Sequence, residues 1–380
     1  MTKFQPAHAD YKATTPASGS LSEILDADAL RTLARERGPC ITLVAPAHHP
    51  GAGAGSRRAL IHSLIRMMNE RLDQRKLDGA AELLSGLEEI ALDSGVDAGG
   101  AAIAIFRSAA LTARYHIDGQ PSERLVLADR FCLVPFVADA FTLQEFFILG
   151  AGRKHLRLFR YRNGACEEMP MPTAVPPNLA AAGGFDQPDH DLINRSSAGR
   201  SAGAMSGVQF GTASDRESLP EHVHHFFGTV DRELKSTLRG KPLLVLGVQE
   251  DLAAYKRAAK HDRFLEAPRT GSAEFLTVAE VAAEARNAAH AHYARQAEQA
   301  LADYLEMPDR SRTLSDVDAI VRAAEQGRVH RLCVRSASES TGPGDDEINN
   351  AVVETLSAGG EVFLLPQDRM PVVMGAILRY

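Results

Sequence analysis

Residues 314–366 read LSDVDAIVRAAEQGRVHRLCVRSASESTGPGDDEINNAVVETLSAGGEVFLLP, and the order of patterns within them decides the fold class. LSDVDAIVRAAEQG opens on Ser315 or Asp316, either able to cap a helix by accepting from its first free amides, and closes at Gly327. RVHRLCV then reads as a strand, DDEINNAVVETLSAGG as a second helix ended by Gly359 and Gly360, and EVFLLP as a second strand. VVMGAILRY, residues 372–380, supplies one more strand. Helix and strand alternating in this way define a layered α/β domain, with helices covering a sheet. A long helix near residue 273 precedes the set, keeping Val278, Val281, Ala285, Ala289, Tyr293 and Leu301 near one side.

The same alternation extends upstream. Between 126 and 272, RFCLVPFV (130–137) and FFILGAGRKHLRLFRYRNG (146–164) read as sheet strands turning at Gly150 and at Asn163-Gly164. From Pro170 to about Leu219 the chain gathers Pro, Gly, Ser, Ala and Asp without apolar periodicity, which predicts a long flexible loop, 170–219. A helix follows at PEHVHHFFGTVDRELKSTLRG, with Pro220 suited to its first turn and Val223, Phe226, Phe227, Val230, Leu234 and Leu238 on one face. PLLVLGV is a buried strand and DLAAYKRAAKHDRFL a further helix. In residues 1–125, SLSEILDADALRTLARE opens as a helix, Cys40 to Ala45 is a strand, and RRALIHSLIRMMNERL is a helix after the loop PAHHPGAGAGS. A helix in Ala80 to Leu92 and a strand in Ala101 to Phe106 complete that unit.

Bulk composition narrows the function classes. A chain of 380 residues, at roughly 150 per domain, holds two or three domains. At 44% hydrophobic and 24% charged it is globular in most of its length, with no run long enough to span a membrane and no apolar signal core in MTKFQPAHAD. A soluble, cytoplasmic protein is expected. Cys40, Cys132, Cys166 and Cys333 are far apart and form no Cys-x-x-Cys pair, so neither a disulfide framework nor a zinc knuckle is indicated. The formal net charge of -7 opposes non-specific nucleic-acid binding, so any RNA contact must be local.

AIVRAAEQGRVHRLCV (319–334), EINNAVVETLSAGGEVFLLP (347–366) and MGAILRY (374–380) resemble the carboxy-terminal domain of bacterial relatives of the archaeo-eukaryotic release factors. That domain type is related to kink-turn-binding ribosomal proteins. RFCLVPFV, FFILGAGRKHLRLFRYRNG and KPLLVLGVQEDLAAYKRA are similar to the family's central domain, and the strand, loop and ALIHSLIRMMNERL helix to its amino-terminal domain. The resemblance implies three consecutive α/β domains, 1–125, 126–272 and 273–380, the last with the kink-turn-binding fold. It implies the ribosome, through rRNA and tRNA, as partner, with elongation factor Tu or a related GTPase beside it, and no cofactor.

Two family signatures are altered. Release factors of this layout carry Gly-Gly-Gln on a central loop, where the glutamine backbone helps place water at the peptidyl-tRNA ester. Here Gly183-Gly184 is followed by Gln187 at the wrong spacing, and Ser206-Gly207-Val208-Gln209 has valine where a glycine's freedom at positive φ is required. The Asn-Ile-Lys-Ser element that reads stop codons is absent. The resemblance therefore implies a rescue or hibernation factor, related to Pelota, that binds the ribosomal A site without codon-specific termination. A peptidyl-tRNA or RNA hydrolase using Gln209 with Gly207 is the enzymatic alternative.

The remaining candidates come from residue types alone. Gly51-x-Gly53-x-Gly55-Ser56 stands between strand and helix, where amides and the helix dipole could hold the phosphate of a nucleotide or, with Arg57 and Arg58, of RNA. No lysine precedes Ser56 as a Walker loop requires, and a plain turn accounts for the same letters. Arg153, Lys154, Arg157, Arg160 and Arg162, interleaved with Phe159 and Tyr161, suit RNA phosphate contact plus stacking, or a solvated sheet face. Arg195 and Arg200 are the loop cations best suited to reach phosphates. His222, His224 and His225, with Glu221, have spacing that could hold a metal but also that of a polar helix face, and Lys256, Arg257, Lys260 and Arg263 read as such a face. No Ser/His/Asp or Cys/His set can be assembled.

Overall fold

The computed structural model describes residues 23–46, 54–75, 80–92, 102–117, 122–162, 164–183, 213–266, 271, 274–336 and 345–380. It is an α/β protein with three sheets. The chain divides into two compact units, Met1–Thr142 with Ala294–Tyr380, and Leu143–Tyr293.

In the first unit, β1 (Glu23–Ile24), β2 (Cys40–Pro46), β3 (Ala102–Arg107), β4 (Thr112–Ile117) and β5 (Arg124–Ala128) pair in the order β1-β4-β3-β2-β5. The unbroken apolar run of β2 is explained by cover on both faces. Ile41, Leu43 and Ala45 point to one core with α2 (Ala54–Arg75), α3 (Ala80–Leu84) and α4 (Leu87–Leu92). Cys40 and Val44 point to the other, with α1 (Ala27–Ala34). The single helix expected over 80–92 is two, because Gly86 takes φ +72 between them, a conformation few other residues adopt.

The third sheet belongs to the same unit. β11 (Thr313–Leu314), β12 (Val329–Arg335), β13 (Glu361–Leu365) and β14 (Met374–Leu378) are ordered β11-β14-β12-β13. β12 and β13 are parallel, joined through α11 (Asp345–Ser357), and β14 is antiparallel to β12. Asp316 caps α10 (Val317–Glu325) by accepting from the Ala319 amide at 2.9 Å, as the sequence predicts. Gly375 of β14 leaves room for a ring, since a Cβ there would stand 2.8 Å from Tyr304.

One apolar core joins the first and last segments of this unit, holding Leu30, Leu33, Phe106, Phe136, Val352 and Leu356 among others. RFCLVPFV enters that core and is not a strand. Pro135, with no amide hydrogen and a fixed φ, stands at the start of a 3-10 turn, Val134–Phe136, that runs into α5 (Val137–Phe141). Two polar side chains of α11 fix the approach. Asn349 Oδ1 accepts from the Leu133 amide at 2.8 Å and its Nδ2 donates to the Phe131 carbonyl at 2.9 Å. Glu354, buried, accepts from Arg37 Nη2 at 3.1 Å and pairs with Arg130.

In the second unit, β6 (Glu145–Ala151), β7 (Leu156–Arg162) and β8 (Ala165–Met169) form an antiparallel meander. β9 (Leu243–Leu246) lies parallel to β6, and β10 (Phe264–Leu265) parallel to β9. Phe147, Leu149, Leu156 and Leu158 face α7 (Ala213–Leu238) and α8 (Gln249–Ala258). Phe146, Ile148, Phe159 and Tyr161 face Val281, Ala285 and Ala289 of α9 (Val278–Glu306). Gly150 is paired inside β6, so the turn expected there lies at 152–155. Residues 170–183 and 213–219 of the expected loop are described, including α6 (Leu179–Gly183), and Pro220 sits inside α7 rather than in its first turn. The helix expected over 251–265 stops at Ala258, and its last residues form β10. Among the described residues no helix is long and apolar enough to cross a membrane.

Removing the Glu354 carboxylate strands Arg130, which is 19% exposed. Breaking one side of a buried pair costs about 3 kcal/mol. Glu354→Ala should move the urea unfolding midpoint of the first unit well below that of the wild type, read by circular dichroism, and an unchanged midpoint would contradict this account of the core.

Candidate functional site

The β6–β7 hairpin carries five of the cations singled out in the sequence, Arg153, Lys154, Arg157, Arg160 and Arg162. Strand alternation separates them: Arg157 shares a face with Phe159 and Tyr161, while Arg160 and Arg162 point to the opposite face. Phe159 and Tyr161 are buried against α9, so the expected stacking surface is corrected. Neither ring can receive a base.

Carboxylates hold three of the cations. Arg153 Nε lies 2.7 Å from Asp251 and its Nη2 2.7 Å from Glu250, both in the first turn of α8. Arg157 clasps Glu168 of β8 with two bonds of 2.8 Å, donates to the Leu276 carbonyl at 2.6 Å, and lies over the Phe159 ring. Arg160 Nε donates to Glu145 Oε1 at 3.0 Å, and Lys241 takes Oε2 of the same carboxylate at 2.9 Å. Lys241 and Arg160 hold Glu145 below the usual carboxylate range, and Arg157 does the same for Glu168. A guanidinium so engaged reaches a phosphate only by giving up a carboxylate. Lys154 and Arg162 are exposed.

Arg153 also marks one end of the sheet. Its carbonyl accepts from the Leu179 amide of α6 at 2.8 Å. With Leu219, Pro220 and Glu221 of α7 and Arg257 of α8 it lines a cleft of about 620 Å³. The flanks of 184–212 are therefore α6 and α7 at this end. Gly207, Gln209, Arg195, Arg200, Gly184 and Gln187 lie outside the described residues, as do Gly51, Gly53, His48 and His49. Gly55 and Ser56 fall within α2 rather than in a loop. Arg57 and Arg58 follow them on that helix, and Arg58 is exposed.

A second cleft, of about 570 Å³, was not legible in the sequence. It is lined by His224, His225 and Lys235 of α7 together with Lys260 and His261. Asp231 fixes its wall, accepting from the Lys260 amide at 2.8 Å and the buried Tyr255 hydroxyl at 3.3 Å. Burial, with Asp231 beside it, drives the Tyr255 pKa strongly up. His224 and His225 thus meet Lys260 and His261, which follow the end of α8, an approach that neither heptad-scale spacing nor composition reveals. Among the described residues no group of three or more His, Cys, Asp and Glu is placed to hold a metal.

Three of the four thiols are held in the protonated form. Burial pushes Cys40 and Cys333 up to about 12 and Cys166 up to about 11, where a thiolate is scarce at neutral pH.

The architecture is that of a multi-sheet α/β protein, and comparison gives it a class. The model for bacterial archaeo-eukaryotic release factor family 3 matches residues 145–328, from the first residue of β6 to the residue before β12. Residues 145–328 are similar to that release factor family, and this match covers just under half of the chain. The sequence has no match among curated proteins. Among solved structures, the archaeal translation termination factor aRF1 is 14% identical over 95% of this chain and 99% of its own, with a TM-score of 0.24. Archaeoglobus fulgidus Pelota is 14% identical over 73% of this chain and 79% of its own, with a TM-score of 0.34. Archaeal Pelota from a ribosome-bound assembly with ABCE1 is 10% identical over 94% and 95%, also at 0.34. Scores this low leave the fold to be argued from the sheets themselves.

Glu145 and Glu168 titrate near 4.5 when free of partners and lower in the fold. Groups with depressed folded pKa values stabilise the fold above their unfolded pKa, and that contribution disappears as pH falls through the folded value. The double variant Glu145→Gln, Glu168→Gln should unfold more easily than wild type at pH 7, with the gap closing below about pH 4.5. Equal urea midpoints at pH 7 would refute the role given to these pairs.

Proposed function

We propose that the protein is a translation factor that enters the ribosomal A site without reading a stop codon, acting in ribosome rescue or hibernation in the cytoplasm. The observation that carries this is the match to bacterial archaeo-eukaryotic release factor family 3 across the central sheet, α7, α8 and α9. Two features of the sequence support a non-terminating role. The Asn-Ile-Lys-Ser element is missing, and Val208 stands where Gly-Gly-Gln needs a glycine.

On this reading 1–125, 126–272 and 273–380 act as three domains, with 184–212 directed toward the peptidyl-transferase region. Arg195 and Arg200 within that segment, and the exposed Arg58 and Lys154, are the proposed RNA contacts. Arg57 joins Arg58 on α2. Arg153, Arg157 and Arg160 contribute only if a phosphate replaces their carboxylate partners. Elongation factor Tu or a related GTPase is the proposed delivery partner.

The tagged protein should sediment with ribosomes at low salt, and Gln209→Ala should sediment equally, with neither releasing peptide from peptidyl-tRNA. Absence from every ribosomal fraction would overturn the proposal. Peptide release by wild type that Gln209→Ala abolishes would replace it with the hydrolase reading.

A further inference from the structure

Three arginines at one end of the third sheet are held in a different way from those of the central hairpin. Arg312 Nη2 donates to the Leu378 carbonyl at 2.9 Å and the Arg379 carbonyl at 3.2 Å. Arg379 Nε donates to the Val329 carbonyl at 3.2 Å and its Nη2 to the Ala358 carbonyl at 2.8 Å. Arg328 lies over the Tyr380 ring, 6.0 Å from its centroid, and its carbonyl accepts from the Arg379 amide at 2.9 Å. Arg310 shares the 3-10 turn with Arg312 and donates to the Leu305 carbonyl at 2.7 Å. Among the described residues, none of these four is in an ion pair with a carboxylate.

The distinction is chemical. A carboxylate orients a guanidinium and also cancels its charge, whereas a carbonyl orients it and leaves the charge in place. Each guanidinium has five donors, of which backbone carbonyls use one or two on Arg310, Arg312 and Arg379, while Arg328 Nη1 reaches the Gln326 side chain at 3.5 Å. Arg312 Nε is buried and has no hydrogen-bond partner at all. Asp309, three residues before Arg312, spends its carboxylate on the Ser311 amide and hydroxyl, with the Arg312 charge a minor influence on it. Capping the last turn of α11 explains the bond from Arg379 to Ala358. It explains neither the gathering of Arg312 and Arg328 nor the Tyr380 ring, which is 75% exposed.

Fixed, uncancelled cations beside an exposed aromatic ring match the chemistry of a nucleic-acid single strand, whose phosphates take the cations while a base stacks on the ring. We propose that this end of the third sheet, built from Arg312, Arg328, Arg379 and Tyr380, binds the phosphate backbone of single-stranded RNA. The inference goes beyond the translation-factor reading, since it would hold for a protein that never meets a ribosome.

Fluorescence anisotropy of a labelled oligouridine with the full chain tests it. Binding should weaken roughly 18-fold between about 50 and 200 mM salt, as three single-strand phosphate contacts require. Arg328→Glu with Tyr380→Ser should weaken binding about 10-fold or more at unchanged thermal stability, because the Arg328 side chain reaches the Gln326 side chain at 3.5 Å and the Tyr380 ring without holding another element through an ion pair. Arg66→Gln, on the exposed face of α2 beside Glu70, should leave binding unchanged. Inorganic phosphate at matched ionic strength should not displace the oligouridine. The proposal fails if the oligouridine does not bind, if the double variant binds as wild type does, or if Arg66→Gln is the more damaging change. Displacement by inorganic phosphate would show a site for a lone anion rather than for RNA.

Discussion

A buried carboxylate organises the larger unit. Glu354 of α11 lies in a core that also holds α1 and the segment after β5, and burying its charge would cost several kcal/mol without partners. Arg37 and Arg130 supply them, one following α1 and the other following β5. Asn349, on the same helix, occupies the backbone groups of Phe131 and Leu133 that no strand partner takes. The last stretch of the chain is thereby specified against the first, although more than two hundred residues separate them. A satisfied polar set within an apolar core also disfavours other packings, because any shift leaves a charge or an amide unpaired.

Electrostatics divides the molecule in a second way. The formal charge of -7 gives little reason to expect RNA contact, and in the central hairpin the arginines are spent on Glu145, Glu168, Glu250 and Asp251. Those pairs fasten β7 to β8 and to the start of β6, and the β6–β7 turn to α8. At the end of the third sheet the guanidiniums are fastened by carbonyls and keep their charge. Counting arginines in a sequence cannot distinguish the two cases. What decides is the acceptor on the neighbouring strand.

Patterns carried by neighbours along the chain were legible. The capped α10, the strands β12, β13 and β14, the apolar run of β2 and the inward stripe of α7 all follow from local periodicity and turn residues. Misreadings occurred where a short apolar run had no period of its own. RFCLVPFV has strand composition, yet Pro135 and the core beneath it make a helical turn. DLAAYKRAAKHDRFL looks continuous, but α8 ends where Asp231 captures the Lys260 amide, a contact from another helix. The candidate site was legible only in its hairpin. The faces to which Arg157 and Arg160 point follow from alternation, whereas the cleft shared by His224, His225 and His261 depends on how α7 and α8 pack.

The proposal that the protein works in the ribosomal A site is open to a direct test. Cryo-electron microscopy of ribosomes saturated with the purified protein addresses that directly. The account predicts density for all three sheets in the A site, over a codon of any sequence. Ribosomes whose A site stays empty at saturating protein, or occupancy only when a stop codon is present, would contradict it.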